Sequence, residues 1–177
     1  MNQSNSCISE LTSDISYLRR TIAAQSPQKF AEVYLPLHCN LPFSRMHEEL
    51  FGLLKQATEK RNFRLAVAAP RGHAKSTVVS LAYVLWCICY RLENHIVLIS
   101  NTADQSMDLL TAIKGELESN SLLIEDFPDV AEPPGLKPGP RRWRKNDIIT
   151  RNGVKVIAIG AGQKIRGRKH KQYRRGC

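Results

Sequence analysis

The segment Ala69-Pro70-Arg71-Gly72-His73-Ala74-Lys75-Ser76-Thr77 decides how the rest of the chain is read. It lies between a short apolar run, Phe63 to Ala69 (FRLAVAA), and a longer one, Val78 to Tyr90. The first run has the length of a strand and the second that of a helix, so the loop is expected to join an entering strand to a leaving helix. Lys75-Ser76 fits the end of the phosphate-binding pattern G-x-x-x-x-G-K-[ST], while Ala69 and Ala74 stand where the pattern has glycine. A helix start offers unpaired N–H groups and the positive end of the helix dipole, which suits phosphate oxygens. Lys75 and Ser76 would there serve as phosphate and magnesium ligands. A helix start with a chance Lys-Ser is the plainer alternative.

Outward from the loop, helical and strand patterns alternate. Upstream, Ser44 precedes RMHEELFGLLKQATEK, where Met46, Leu50, Leu53 and Leu54 recur at helical spacing and Glu48 and Glu49 fall in the first turn. Asn62 closes that helix. Residues 1–34 read as a polar N-terminal segment with one weak helical stretch near Ile15 to Ala24, and Phe30 to Pro42 reads as an irregular connection. Downstream, HIVLIS (95–100) reads as a strand. Asn101 or Thr102 then caps a helix over ADQSMDLLTAIKGELES (103–119). Residues 126–142 hold five of the nine prolines and read as a loop. Strands over Asp147–Thr150 and Val154–Ile159 flank Arg151-Asn152-Gly153, which has hairpin chemistry. The alternation predicts an α/β fold with a mainly parallel sheet.

Composition narrows the function classes. The chain has 177 residues, 42% of them apolar, enough for a real core. Val78 to Tyr90 covers 13 residues, against about 20 for a membrane span, and no basic, then apolar, leader opens the sequence. The five cysteines show no C-x-x-C pair and no zinc spacing, and read as reduced thiols. The net charge of +10 is concentrated at one end. Residues 141–177 hold 13 Lys/Arg against Asp147 alone, and residues 1–140 hold 13 against 15 acids. A block of that kind is a solvated tail or a surface for nucleic acid or phosphate.

Four segments together resemble the large subunit of phage terminases, the ATP-driven motors of DNA packaging. They are LPFSRMHEELFGLL, AAPRGHAKST, LISNTADQSMDLLTAIKGELESN and GAGQKIRGRKH, in order over residues 35–173. The second is similar to that family's deviant Walker A motif, with an arginine four residues before the lysine. The resemblance implies a P-loop NTPase-type three-layer fold over residues 35–177, with ATP and magnesium as cofactors. It implies catalytic roles for Arg71, as a sensor of the terminal phosphate, and for Lys75. Gly72, His73, Ala74, Lys75, Ser76 and Thr77 would cradle the phosphates, with Ser76 on magnesium and Phe43 and His47 near the adenine. Arg166, Arg168 and Lys169 would face nucleic acid or phosphate, although a solvated loop and simple turn glycines at 160 and 162 account for that stretch equally well.

The implied partners are double-stranded DNA, a terminase small subunit and a portal protein, in host cytoplasm and without a membrane. The sequence departs from the family after KHKQYRR, because no Asp or Glu follows Asp147. It is therefore expected to be a truncated member, lacking the Walker B acids and the nuclease domain, with little or no turnover. One rival reading is a self-contained basic nucleic-acid-binding module, for which only Trp143 and Tyr173 near the basic block could stack on bases. Another is a small P-loop kinase or regulatory NTPase.

Overall fold

The computed structural model describes residues 2–60, 62–131 and 142–163, without side-chain detail for residues 2–10. The chain divides into two compact units, Met1–Ala68 and Ala69–Cys177.

The first unit is helical. Helix α1 spans Asn2–Ala24, α2 Pro27–Tyr34 and α3 Arg45–Glu59. α1 is longer than the weak pattern near Ile15 to Ala24 suggests, and α2 occupies a stretch expected to be polar and irregular. Its start is built from local chemistry: the Ser26 hydroxyl accepts the Lys29 N–H, and Pro27 stands in the first turn, where it has no N–H to leave unsatisfied. Phe30, Ala31 and Tyr34 then bury one face, with the Phe30 and Tyr34 rings 5.0 Å apart. Leu50, Phe51 and Leu54 of α3 are buried as well.

The second unit is α/β. A π-helical turn, Thr77–Ala82, runs without a break into α4, Tyr83–Cys89. Strand β1 is His95–Ser100, α5 Ala103–Ser119, α6 Ser121–Asp126, β2 Arg142–Trp143, β3 Asp147–Ile149 and β4 Lys155–Gly160. Every residue from Val84 to Cys89 is buried, as an all-apolar helix requires. α4 ends in a Schellman motif. Arg91, at φ +51°, takes the left-handed position, the Leu92 N–H reaches the Cys87 oxygen at 2.9 Å, and the Arg91 N–H reaches the Ile88 oxygen at 3.2 Å.

The sheet corrects the expectation of mainly parallel strands. Its order is β1-β4-β3-β2; β1 and β4 run parallel, from His95 with Lys155 to Ser100 with Gly160, and the other two pairings are antiparallel. The cause is local, since strands joined by a tight turn must run antiparallel. In the turn from β3 to β4, Gly153 adopts φ +88°, and its N–H bonds the Thr150 oxygen at 2.9 Å. Residues 63–69 are not a strand. They form no ladder among the described residues, and most of them are exposed. An apolar run becomes a strand only when a neighbour satisfies its backbone, and β1 takes β4 as its partner.

α5 packs on β1 and β4. Thr102 supplies its cap by accepting the Gln105 N–H at 3.2 Å, and Ser106, Leu110, Ile113 and Leu117 are buried. Asn120 ends α5 and starts α6, accepting the N–H groups of Leu122 and Leu123 at 3.2 Å.

Candidate phosphate-binding loop

The loop that opens the second unit closes on itself. Its backbone turns at Gly72, φ +84°, and again at Ala74, φ +47°. The second value lies in the left-handed region, so Ala74 holds the conformation that favours glycine. Ala74 is also where the helix begins: its carbonyl accepts the Val78 N–H at 3.0 Å, and Lys75 and Ser76 are already helical. The Lys75 ammonium donates to the Ala69 carbonyl at 3.3 Å, which ties the exit of the loop to its entrance. Nδ1 of His73 lies 3.2 Å from the Arg71 carbonyl oxygen. Arg71, Gly72, His73, Ala74 and Ser76 are exposed, and Lys75 and Thr77 are half-buried. No acidic residue occurs between Ala69 and Thr77, and Arg71 and Lys75 give the loop a positive rim.

Beyond Ser76, six residues follow π-type winding, and the Tyr83 N–H bonds the Val78 oxygen five residues back. Such winding widens the helix by an extra residue and is frequent at functional sites. The Ser76 hydroxyl caps no N–H of the turn that follows.

Arg71 to Thr77 thus fall together on one exposed loop and helix start. Phe43 and His47 lie in the first unit, at the N-terminus of α3. There the Phe43 ring meets His47 at 6.0 Å and Phe51 at 5.1 Å, and the Ser44 N–H donates to His47 Nδ1 at 3.3 Å. His47 stands at the third helical position, where the side chain of a capping box returns to the cap backbone. Arg166, Arg168, Lys169 and Tyr173 lie outside the described residues.

Trp143 is committed to packing. Its indole N–H donates to the Glu118 carboxylate, and the Lys114 ammonium stands 5.7 Å from its ring centroid, both partners on α5.

Gly160 has a role that turn chemistry does not reveal. A Cβ there would sit 2.7 Å from the Ala103 nitrogen and 3.1 Å from the Thr102 carbonyl carbon, so only glycine lets β4 pass under the start of α5. At the same end of the sheet the Ala161 N–H bonds the Ser100 oxygen at 2.8 Å. No sequence pattern could have identified this contact, because it joins positions 57 residues apart.

Cys87 and Cys89 are buried and Cys39 is half-buried, and none of the three is in a disulfide. Burial, and after it the neighbouring Cys87, push Cys89 far above the ordinary thiol range, which makes it unreactive. Burial, and then the Glu32 carboxylate, also raise Cys39. Among the described residues no three His, Cys, Asp or Glu side chains gather to hold a metal, and no helix is long and apolar enough to cross a membrane. No protein-family profile, curated protein or solved structure matches the chain.

Proposed function

We propose that residues 69–77 bind the phosphates of ATP, and that the chain is the ATP-binding portion of a terminase-type large subunit. Such a subunit drives double-stranded viral DNA into a procapsid in host cytoplasm, with a small subunit and a portal as partners. The observation that carries the reading is Lys75, held at a helix start with its ammonium folded across an exposed, acid-free loop. The residues present fit a phosphate group. Gly72 and Ala74 turn the backbone just ahead of the helix start, and the unpaired N–H groups of a helix start suit phosphate oxygens.

Lys75, which donates to the Ala69 carbonyl, would hold phosphate oxygens of ATP in its place. Arg71, exposed on the same loop, is proposed to meet the terminal phosphate. Ser76, whose hydroxyl caps no N–H of the following turn, is proposed as a ligand for magnesium, and Gly72, His73, Ala74 and Thr77 as the lining of the cradle. Bound ATP supplies the phosphoryl group whose transfer drives the motor. The acids that would anchor magnesium and orient water are not among these residues, since no Asp or Glu follows Asp147. These 177 residues are therefore proposed to bind nucleotide without turning it over. The three-layer arrangement belongs to the same proposal.

The test is calorimetry of ATP with magnesium against the chain and its Lys75→Ala variant. Binding by the first and at least about tenfold weaker binding by the second is expected. Equal affinity in the two would remove the loop from the account. A second reading, a nucleic-acid-binding module, rests on the basic block at 141–177 and predicts DNA binding that Lys75→Ala leaves unchanged.

A further inference from the structure

Helix α1 carries an apolar seam that its own unit leaves uncovered. Leu11, Ile15, Leu18 and Ile22 follow one another at steps of 4, 3 and 4 and are 57, 52, 57 and 44% exposed. Ile8 precedes Leu11 by three in the sequence and continues the same alternation. The helix has another apolar side, where Ala23 is fully buried and α1 packs on α2. Core packing therefore does not account for the seam.

Written as heptads, the seam has isoleucine at every a position (8, 15 and 22) and leucine at both d positions (11 and 18). β-branched residues at a with leucine at d are the combination that favours two parallel strands. The flanking charges agree. Asp14 occupies a g position and Arg19 the e position five residues later, and these two face each other across a parallel seam. A two-fold axis makes that pair twice, as an isologous interface requires. A membrane surface fits less well, because helices that lie on lipid are rich in Lys/Arg along the polar face. Between Leu11 and Ala24 the only basic residues are Arg19 and Arg20.

We propose that α1 pairs with the α1 of a second copy of this chain, as a short parallel coiled coil. The proposal is independent of nucleotide binding.

Sedimentation equilibrium of the full chain tests it. A monomer–dimer equilibrium is expected, and Leu11→Asp with Leu18→Asp should raise the dimer Kd by at least about tenfold at unchanged helix content. Register and direction are read by charge. Asp14→Lys and Arg19→Asp each place like charges across the seam and should weaken the dimer. An equimolar mixture of those two variants restores both opposite-charge pairs and should dimerise better than either alone. A wild-type chain that stays monomeric up to its solubility limit would overturn the proposal, as would a dimer indifferent to the seam substitutions. A dimer for which the mixture restores nothing would overturn the parallel arrangement. Association with anionic phospholipid vesicles but not with itself would assign the seam to a membrane and likewise end the proposal.

Discussion

The side-chain amide of Asn152 donates to the main-chain oxygen of Ile88 at 2.7 Å, across 64 residues of sequence. Its Oδ1 accepts the Thr150 hydroxyl at 2.5 Å, so one side chain shapes the β3–β4 turn and holds the end of α4. That end is also where Arg91 takes its left-handed turn. The helix that leaves the candidate loop is thus fastened at its far end to the sheet.

Asn152→Ala should remove about 1 kcal/mol of stability, since the Ile88 oxygen loses its shortest donor and keeps the longer bond from the Arg91 N–H. Urea unfolding followed by circular dichroism measures it. A change indistinguishable from zero would mean that water substitutes fully for the amide.

Gly160→Ala should cost about 2–3 kcal/mol, because its Cβ meets main-chain atoms that belong to a capped helix and cannot rotate away. The same measurement applies. Gly52, with nothing near its would-be Cβ, is the control, and Gly52→Ala should be neutral or stabilising.

Ala74→Gly should act in the opposite sense. Relieving an alanine held at φ +47° gains roughly 1 kcal/mol, less what the more flexible unfolded chain takes back. Melting temperature should rise slightly or hold, and ATP affinity should not fall. A clear loss of stability would show that the loop prefers another conformation in solution.

The raised Cys89 thiol predicts a pH dependence. The folded state keeps this proton while the unfolded chain loses its own above about pH 9.0, so the unfolded state binds fewer protons and stability falls as pH rises. The contribution is fully present below that pH and declines by up to about 1.4 kcal/mol per pH unit above it. Denaturant midpoints at pH 8, 9 and 10 should converge between wild type and Cys89→Ala as pH increases. Parallel curves would show that the thiol titrates equally in both states.

The basic block makes the last prediction. DNA affinity should fall steeply with salt, and deleting residues 164–177, with seven Lys/Arg, should flatten the dependence of log K on log salt. An unchanged slope would place the phosphate contacts elsewhere, at residues such as the exposed Arg144, Lys145 and Arg151.

Elements fixed by neighbours in sequence were readable from it. α5 begins and ends where its cap and apolar period place it, and Asn152-Gly153 marks the turn between β3 and β4. Helix α2 was missed because its start, Ser26-Pro27, was outweighed by the prolines at 36 and 42, although proline at a first helical turn favours the helix. The run at 63–69 was misread for the converse reason: its residues suit a strand, but no sequence pattern reveals whether a partner exists. At the candidate loop, Lys75 and Ser76 were evident from spacing. The left-handed Ala74 and the contact under Gly160 were not, because each depends on the path of the main chain. The α1 seam lay at readable positions, yet nothing before the fold showed that α2 leaves it uncovered.

The parallel pairing of β1 with β4 sets an order of events during synthesis. His95 finds its partner only when Lys155 has emerged, sixty residues later, so the ribosome releases α4, β1 and α5 before the strand that completes their layer. Through that interval the apolar faces of α4 and β1 are open, and the row of backbone groups on β1 that β4 will fill is a template for any other strand. Long-range pairing of this kind is intrinsically slow. Yield in a cell should therefore depend on the pace of translation through residues 120–160 and on chaperones that hold nascent chains, more than on the stability of the finished fold.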